Sequence, residues 1–393
     1  MPAPFSRIIV IVMDSVGAGA LEDADAYGDE GSNTLGNIAR EVGLRIPTLR
    51  ALGLDRIIDL GGTRSVEMPR AAIGRMAEAS AGKDSVTGHW EMMGIVLERA
   101  FPVFPIGFPK ELLDAFEQRI GRGTLGNYAA SGTQIIQDLG AEHVRTGRPI
   151  VYTSADSVFQ IAAHEDVIPI EDQYRINGIA FDLAVVGYGL GRVIARPFVG
   201  QPGSFTRTAN RKDFAMPPVA ETVLDRLTAA QTATVAIGKI EDLFAGRGIT
   251  RALHTKSDDE GMDAITSEMA SSARGVIFAN LVDFDTLYGH RNDVAGYAAN
   301  LERFDARLKD LLPRLREDDL LIVTADHGND PTTPSTDHSR EHVPLLATGP
   351  RVKTGVQLGT RRTFADLGQT VADNFGVGPM KHGTSFLGEI RQG

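Results

Sequence analysis

The chain has 393 residues, 42% of them hydrophobic and 23% charged, which is typical of a globular protein with a sizeable buried core. Its formal net charge of −11 argues against a nucleic-acid-binding protein, which needs a basic face. The lack of cysteine excludes disulfides, thiolate nucleophiles and cysteine-bound zinc. The apolar run at residues 8–13 is too short for a signal peptide or a membrane span, so we expect a cytoplasmic protein without a membrane segment.

The same run is the first predicted β-strand, because continuous β-branched residues are typical of a strand buried on both faces of a parallel sheet. It ends at Asp14, and a turn of small residues, 15–19, follows. Ligands of open α/β sheets bind at the carboxyl ends of the strands, which makes Asp14 a candidate functional residue. An aspartate that only caps a turn is the alternative.

A helix is predicted to begin near Ser85, within the segment 82–94. Ser85 and Thr87 can serve as N-cap residues of that helix. A hydroxyl at a helix amino terminus also faces free N–H groups and the positive end of the helix dipole, which together favour anions. A serine in that position, bound to a metal, is suited to attack phosphorus.

Two proline-rich segments, 101–109 and 216–218, divide the chain. We therefore predict a core domain made of residues 1–99 and 218–393, interrupted by an inserted cap domain, 100–217. The insert contains four arginines within a short stretch, which either form a solvated face or bind an anion such as phosphate. These are Arg192, Arg196, Arg207 and Arg211.

After the insert the alternation of helices and strands resumes. The predicted strands are residues 233–237, 275–282, 320–323 and 343–347. Acidic and histidine side chains follow two of them: Asp285 and His290 after the second, and Asp326 and His327 after the third. A loop rich in threonine and proline then leads to His338.

Carboxylate and imidazole side chains at a strand end suit a divalent cation, although a single Asp-His pair is also a common turn. Several such positions, together with Asp14, favour two adjacent metal sites. The mixed ligand type fits manganese or zinc better than calcium, which prefers oxygen ligands. Two-metal sites suit phosphoryl transfer, because the ions clamp both the attacking and the leaving oxygen.

Six segments carry a resemblance to a known family. They are residues 12–17, 82–91, 152–158, 192–200, 280–285 and 324–330. In this order, along essentially the whole chain, they resemble the bacterial phosphopentomutases of the alkaline-phosphatase superfamily. The resemblance implies an α/β fold with an alkaline-phosphatase-like doubly wound core and an inserted α/β cap domain.

The resemblance also implies residue roles. One of two manganese ions would be held by Asp14, Asp326 and His327, and the other by Asp285, His290 and His338. Ser85, phosphorylated in the active enzyme, would be the nucleophile; the family pattern has threonine at this position, so Thr87 is the alternative. The implied substrate contacts are Ser154, Asp156, Arg192, Arg207 and Lys239.

The implied reaction interconverts ribose 1-phosphate and ribose 5-phosphate, and the 2-deoxy sugars, through a 1,5-bisphosphate in nucleoside breakdown and salvage. Glucose 1,6-bisphosphate or another sugar bisphosphate would be the activator. Pentose phosphates are the expected partners, and a monomer is compatible with the sequence. The alternatives are a phosphoglycerate mutase or a phosphatase on the same core, and a non-catalytic metal-dependent binding protein that would not need Ser85.

Overall fold

A computed structural model of the chain describes residues 3–62, 68–154, 157–271 and 274–392. The chain divides into two compact units. The first consists of Met1–Arg99 together with Pro218–Gly393, and the second of Ala100–Pro217. No helix in the described ranges is long and apolar enough to cross a membrane.

The described residues form the following strands and helices. The strands are β1 (Arg7–Met13), β2 (Ala72–Met76), β3 (Leu125–Ala129), β4 (Ile150–Thr153), β5 (Val158–His164), β6 (Arg192–Val199), β7 (Thr206–Arg207), β8 (Lys212–Ala215), β9 (Ala233–Ile237), β10 (Arg251–Leu253), β11 (Gly275–Leu281), β12 (Asp319–Thr324), β13 (Val343–Thr348) and β14 (Gln357–Arg361). The helices are α1 (Thr34–Val42), α2 (Pro47–Leu52), α3 (Ser85–Met92), α4 (Lys110–Ile120), α5 (Gly132–Thr146), α6 (Ile170–Ala180), α7 (Val223–Ala229), α8 (Ile240–Leu243), α9 (Asp258–Ala270), α10 (Val294–Leu311), α11 (Ala365–Phe375) and α12 (Leu387–Ile390).

The first unit is built on an eight-stranded mixed sheet in the order β10-β9-β11-β1-β12-β13-β2-β14. The strands from β10 to β12 are parallel to one another, and β13 is antiparallel to both of its neighbours. Strand β1 lies between β11 and β12, and all seven of its residues are buried. Its apolar sequence therefore fits a central position in the sheet, and the predicted α/β fold is confirmed.

The pairing register brings three carboxyl strand ends together. Met13 of β1 pairs with Leu281 of β11, and Val12 pairs with Thr324 of β12. The residues that follow these strands therefore emerge at one edge of the sheet, where ligands of α/β proteins bind.

The opposite end of β1 is fixed by a buried ion pair. The guanidinium of Arg7 donates to both carboxylate oxygens of Asp319, at 2.9 and 2.6 Å, and also to the carbonyl of Met269 at 2.7 Å. Both side chains are at most 2% exposed, so removing either one would leave an uncompensated buried charge. This pair holds β1 to β12 at the amino end of both strands.

The second unit has its own mixed sheet in the order β3-β4-β5-β6-β7, with β8 paired to β6. Alternate residues of β4 belong to different apolar clusters, as expected for a sheet that is covered on both faces. Val151 packs in a cluster with Phe116 and Phe159, whereas Tyr152 packs in a cluster with Ile135 of α5.

Buried His143 in α5 generates a pH prediction. Its Nδ1 lies 2.6 Å from the carbonyl of Arg148, and its Nε2 accepts the N–H of His164 at 2.8 Å, so the ring is neutral. Burial lowers the pKa of His143 below its ordinary value. Its contribution to stability is therefore complete above the unfolded-state pKa of about 6.5 and is lost as the pH falls towards the lowered folded-state pKa.

We expect the free energy of unfolding, measured by urea denaturation, to decrease as the pH is lowered below about 6.5. The variant His143→Gln, which keeps one acceptor and cannot titrate, should show a smaller decrease. Equal slopes for the wild type and the variant would contradict the prediction.

Candidate metal centre

Three neighbouring strand ends supply the acidic side chains of the site. Asp14 directly follows β1, and Asp326 lies two residues after β12. Asp285 lies in a π-helical turn, Phe284–Tyr288, that follows β11, and His290 lies in the next short turn. Single π-helical turns are rare in proteins as a whole, and those that occur are often found at functional sites.

The first group consists of Asp14, Asp326 and His327. Each offers a ligand atom, and these atoms lie within 4.8 Å of one another. The His327 Nε2 atom lies 3.4 Å from Asp14 Oδ1 and 3.3 Å from Asp326 Oδ2. All three side chains are fully buried.

A second group consists of Asp285, His338 and, again, His327. The Nε2 atom of His338 lies 3.4 Å from Asp285 Oδ1, and that of His290 lies 3.2 Å from Asp285 Oδ2. His290 Nδ1 faces the carbonyl of Thr336 at 2.7 Å, which keeps Nε2 directed at the carboxylate. The structure thus brings together all the predicted metal ligands and places His327 within reach of both groups.

These side chains fit divalent cations. The Oδ1 atom of Asp14 is buried and accepts no hydrogen bond from the residues that the structure describes. A buried carboxylate oxygen without a partner is costly unless a cation balances it. Carboxylate with imidazole is a ligand set that suits manganese or zinc.

The electrostatic environment differs between Asp14 and Asp285. Burial, followed by repulsion from Asp326, raises the pKa of Asp14 above its ordinary value, although Lys239 acts in the opposite direction. Burial also disfavours the charged form of Asp285, but His338 and His290 outweigh it and hold the pKa of Asp285 well below its ordinary value. The imidazoles therefore compensate Asp285, whereas Asp14 needs more positive charge than its neighbours supply.

The hydroxyl of Ser85 faces the metal centre. Ser85 is the first residue of α3, and its Oγ lies 3.1 Å from His327 Nε2. Thr87 is oriented differently: its hydroxyl and its N–H both bind the carboxylate of Asp84, at 2.6 and 3.1 Å, and its side chain is buried. Of the two hydroxyls considered above, only that of Ser85 contacts a metal-ligand side chain in the described structure.

Gly88 allows α3 to pack closely against the backbone at Asp326. A methyl group added at Gly88 would lie 2.2 Å from the carbonyl oxygen of Asp326, far inside van der Waals contact. The absence of a side chain at Gly88 therefore brings the amino terminus of α3 next to Asp326.

Two further residues, not predicted from the sequence, contact Asp14, Asp326 and Ser85. The amide nitrogen of Asn280 donates to Asp14 Oδ2 at 3.1 Å and lies 3.3 Å from His89 Nε2. Because that nitrogen can only donate, His89 carries its proton on Nδ1, which lies 2.8 Å from the Ser85 carbonyl and 3.2 Å from Asp326. His89 belongs to the segment 82–91 noted above, so its position was visible, but its contacts were not.

The predicted substrate residues lie in both units. Ser154 follows β4, Arg192 begins β6, and Arg207 lies in β7, all in the second unit. Lys239 lies in the first unit, where its Nζ contacts Asp14 Oδ2 at 3.2 Å. Asp156 lies outside the described residues. Arg207 pairs with Phe198, near the opposite end of β6 from Arg192.

The chain is similar to known proteins along almost its whole length. The family model of the metalloenzyme superfamily matches residues 6–379, so the chain belongs to that superfamily. The chain is 56% identical over 384 residues to a phosphopentomutase from Caldanaerobacter subterraneus subsp. tengcongensis, covering 98% of both chains. It is 53% identical over 386 residues to one from Clostridium novyi, covering 98% of this chain and 99% of that relative. Within the superfamily, the chain belongs to the phosphopentomutase family, as the sequence segments indicated.

Two solved structures share the fold. The PH0037 protein from Pyrococcus horikoshii has a TM-score of 0.51 at 14% identity, covering 97% of this chain and 100% of that one. A phosphoglycerate mutase from Leishmania mexicana has a TM-score of 0.50 at 12% identity, covering 98% of each chain. At these identities the similarity shows the architecture alone.

We expect chelation of divalent ions to lower the melting temperature, because the repulsion among the carboxylates of Asp14, Asp285 and Asp326 is then compensated only in part, by the neighbouring histidines and Lys239. An ion present at about 100 times its Kd adds about 2.7 kcal/mol to the free energy of unfolding. Calorimetry with and without Mn²⁺ measures this effect.

Asp285→Asn should reduce the stabilisation by Mn²⁺. Asp166→Asn is the control, because this carboxylate is 91% exposed, lies in the second unit and belongs to neither group. Equal stabilisation of the wild type and Asp285→Asn would contradict the assignment.

Proposed function

We propose that the protein is a phosphopentomutase that interconverts ribose 1-phosphate and ribose 5-phosphate, and the corresponding 2-deoxy sugars. The observation that carries this proposal is the Ser85 hydroxyl, which lies beside two groups of buried metal-ligand side chains in a chain of this family. A sugar bisphosphate such as glucose 1,6-bisphosphate would phosphorylate Ser85 and activate the enzyme. The reaction would serve nucleoside catabolism and salvage.

Two manganese ions fit the ligand side chains. One would be held by Asp14, Asp326 and His327, and the other by Asp285, His290 and His338. When bound, the ions would polarise the phosphoryl group and neutralise charge on its oxygens.

Ser85 would act as the phosphoryl carrier. Phosphorylated Ser85 gives its phosphoryl group to the free hydroxyl of the sugar monophosphate, which yields the 1,5-bisphosphate and the free serine. The serine then receives the other phosphoryl group of the bisphosphate, and the isomeric monophosphate leaves. The amino terminus of α3 favours the anionic phosphoserine through its N–H groups and dipole.

His89 supports the position of this residue. Its Nδ1–H faces the Ser85 carbonyl and the Asp326 carboxylate, so one ring contacts both the nucleophile's backbone and a ligand of the proposed first ion. Such contacts orient the carboxylate and limit movement of the serine.

The second unit would act as the cap domain, in which Ser154, Asp156, Arg192 and Arg207 would contact the sugar phosphate. Lys239, in the first unit, is a further proposed substrate contact. Arg207 has suitable surroundings for a phosphate. A methyl group at Gly132 would lie 2.0 Å from Arg207 Nη2 and 2.2 Å from the buried Tyr152 hydroxyl. The guanidinium therefore lies at the first turn of α5, whose N-cap residue, Ser131, makes no capping hydrogen bond through its side chain.

We expect Ser85→Ala to abolish conversion of ribose 1-phosphate to ribose 5-phosphate in the presence of Mn²⁺ and glucose 1,6-bisphosphate. Ser85→Thr, which keeps a hydroxyl, is the matched control and should retain turnover. Mass spectrometry should detect phosphate on residue 85 in the wild type and in Ser85→Thr. Full turnover by Ser85→Ala would contradict the role of Ser85, and inorganic phosphate as the main product would indicate a phosphatase.

A second variant tests whether Arg207 of the proposed cap domain contacts the substrate. Gly132→Ala should displace Arg207 and raise the KM for ribose 5-phosphate, by about tenfold if one charge-assisted contact worth about 1.4 kcal/mol is lost. Gly178→Ala is the matched control in the same unit, because nothing lies within 4 Å of an added methyl group there. An unchanged KM in Gly132→Ala would remove Arg207 from the substrate site.

A further inference from the structure

Residues 77–84 connect β2 to α3 and end directly before Ser85; we call them the nucleophile loop. Their backbone N–H groups are held by a carboxylate of α3. Glu91 accepts hydrogen bonds from the N–H groups of Ala79, at 2.9 Å, and Ser80, at 2.6 Å. The N–H groups at the middle of the loop are therefore fixed by the helix that carries the nucleophile.

The carbonyl groups of the same loop are held by Arg340. Its Nη1 donates to the carbonyls of Ser80 and Gly82, at 2.8 and 2.6 Å, and its Nη2 donates to the carbonyl of Glu78 at 3.1 Å. Nη1 also contacts the Glu78 carboxylate at 2.9 Å. The Arg340 side chain is only 4% exposed. A planar guanidinium supplies donors in these several directions, which the compact ammonium of lysine does not.

Arg340 belongs to the metal-binding part of the chain. It lies two residues after His338, and the intervening Ser339 exchanges two backbone hydrogen bonds with Gly328, at 3.0 and 2.7 Å. Gly328 directly follows His327. The segment that contains Arg340 is therefore fixed to His327 and His338, two of the proposed metal ligands.

Asp29 forms a second connection between the same parts. Its Oδ2 atom accepts the backbone N–H of Arg340 at 2.9 Å and the ammonium of Lys83 at 3.0 Å. Lys83 lies in the nucleophile loop, two residues before Ser85. The nucleophile loop is thus attached at several points to the segment that follows His338, and Arg340 makes most of these contacts.

We propose that Arg340 is a positioning residue for phosphoryl transfer. By binding the carbonyl groups of the nucleophile loop, it sets the position of Ser85 Oγ relative to the metal-ligand side chains, without itself contacting the reacting atoms. This inference rests on the proposed function of Ser85. A displacement of about 1 Å between reacting groups can cost about 10²-fold in rate, so the loss of these contacts should be visible in kcat.

The test uses the full-length protein with Mn²⁺, glucose 1,6-bisphosphate and ribose 5-phosphate. Arg340→Lys keeps the positive charge and loses most of the carbonyl contacts, so we expect kcat to fall about 10²-fold while the KM for ribose 5-phosphate stays near the wild-type value. The rate at which the bisphosphate phosphorylates Ser85, followed by quenched-flow mass spectrometry, should fall by a similar factor. The metal content of the variant should be unchanged.

Arg7→Lys is the matched control. Arg7 is likewise a buried arginine that binds a carboxylate and a backbone carbonyl, but it lies at the amino end of β1, the opposite end from Asp14. We expect this variant to lose stability and to keep the wild-type kcat per folded molecule.

Wild-type kcat in Arg340→Lys would overturn the inference. So would an equal loss in Arg7→Lys, which would show a general effect of destabilisation, or a loss of metal from Arg340→Lys. A wild-type protein that forms no phosphoserine would overturn the proposed function itself, and this inference with it.

Discussion

The constraint on which the site depends is the burial of three carboxylates at one edge of the sheet. Asp14, Asp285 and Asp326 follow adjacent strands, and each is at most 3% exposed. Two unit charges about 4 Å apart repel by about 4 kcal/mol at the effective dielectric constant of a protein surface, and more in the interior. Histidine and lysine neighbours supply part of the compensating charge. Bound cations would supply the remainder, so the candidate metal site depends on the pairing of three strands and not on one loop.

A rigid polar layer lies behind these ligands. The buried carboxylate of Glu341 accepts the hydroxyls of Thr34 and Ser339, both at 2.7 Å, and the N–H of Gly19 at 3.1 Å. Burial raises the pKa of Glu341 to about 7, although these hydrogen bonds favour its charged form. One side chain thereby joins the turn after Asp14, the start of α1 and the segment after the last histidine ligand. Such supporting contacts determine how accurately the ligands are placed.

The sequence predicted those features that depend on neighbouring residues. Continuous apolar runs indicated β1, β11 and β12, and the polar residues after them indicated the candidate ligands, because strand burial and strand ends are local properties. The choice between two hydroxyls in the segment 82–94 could not be made from that segment alone, because Ser85 is distinguished by its contact with His327, 242 positions away in the chain. The contacts of Arg340 were beyond prediction, because its carbonyl partners lie about 260 positions away in the chain and carry no sequence signal.

The central position of β1 also has a consequence for the way in which the chain folds. β1 is the first strand to be synthesised, yet its register partners begin at Gly275 and Asp319, after the whole second unit. The second unit is continuous in sequence and has all its sheet partners within Leu125–Ala215, so it can fold while the ribosome is still adding residues. The register partners of β1 are not yet available during that time, and we expect the closure of so long a loop to slow completion of the first sheet. For this architecture, the interval between synthesis of the first strand and arrival of its partners is the period of greatest exposure to aggregation and to chaperones.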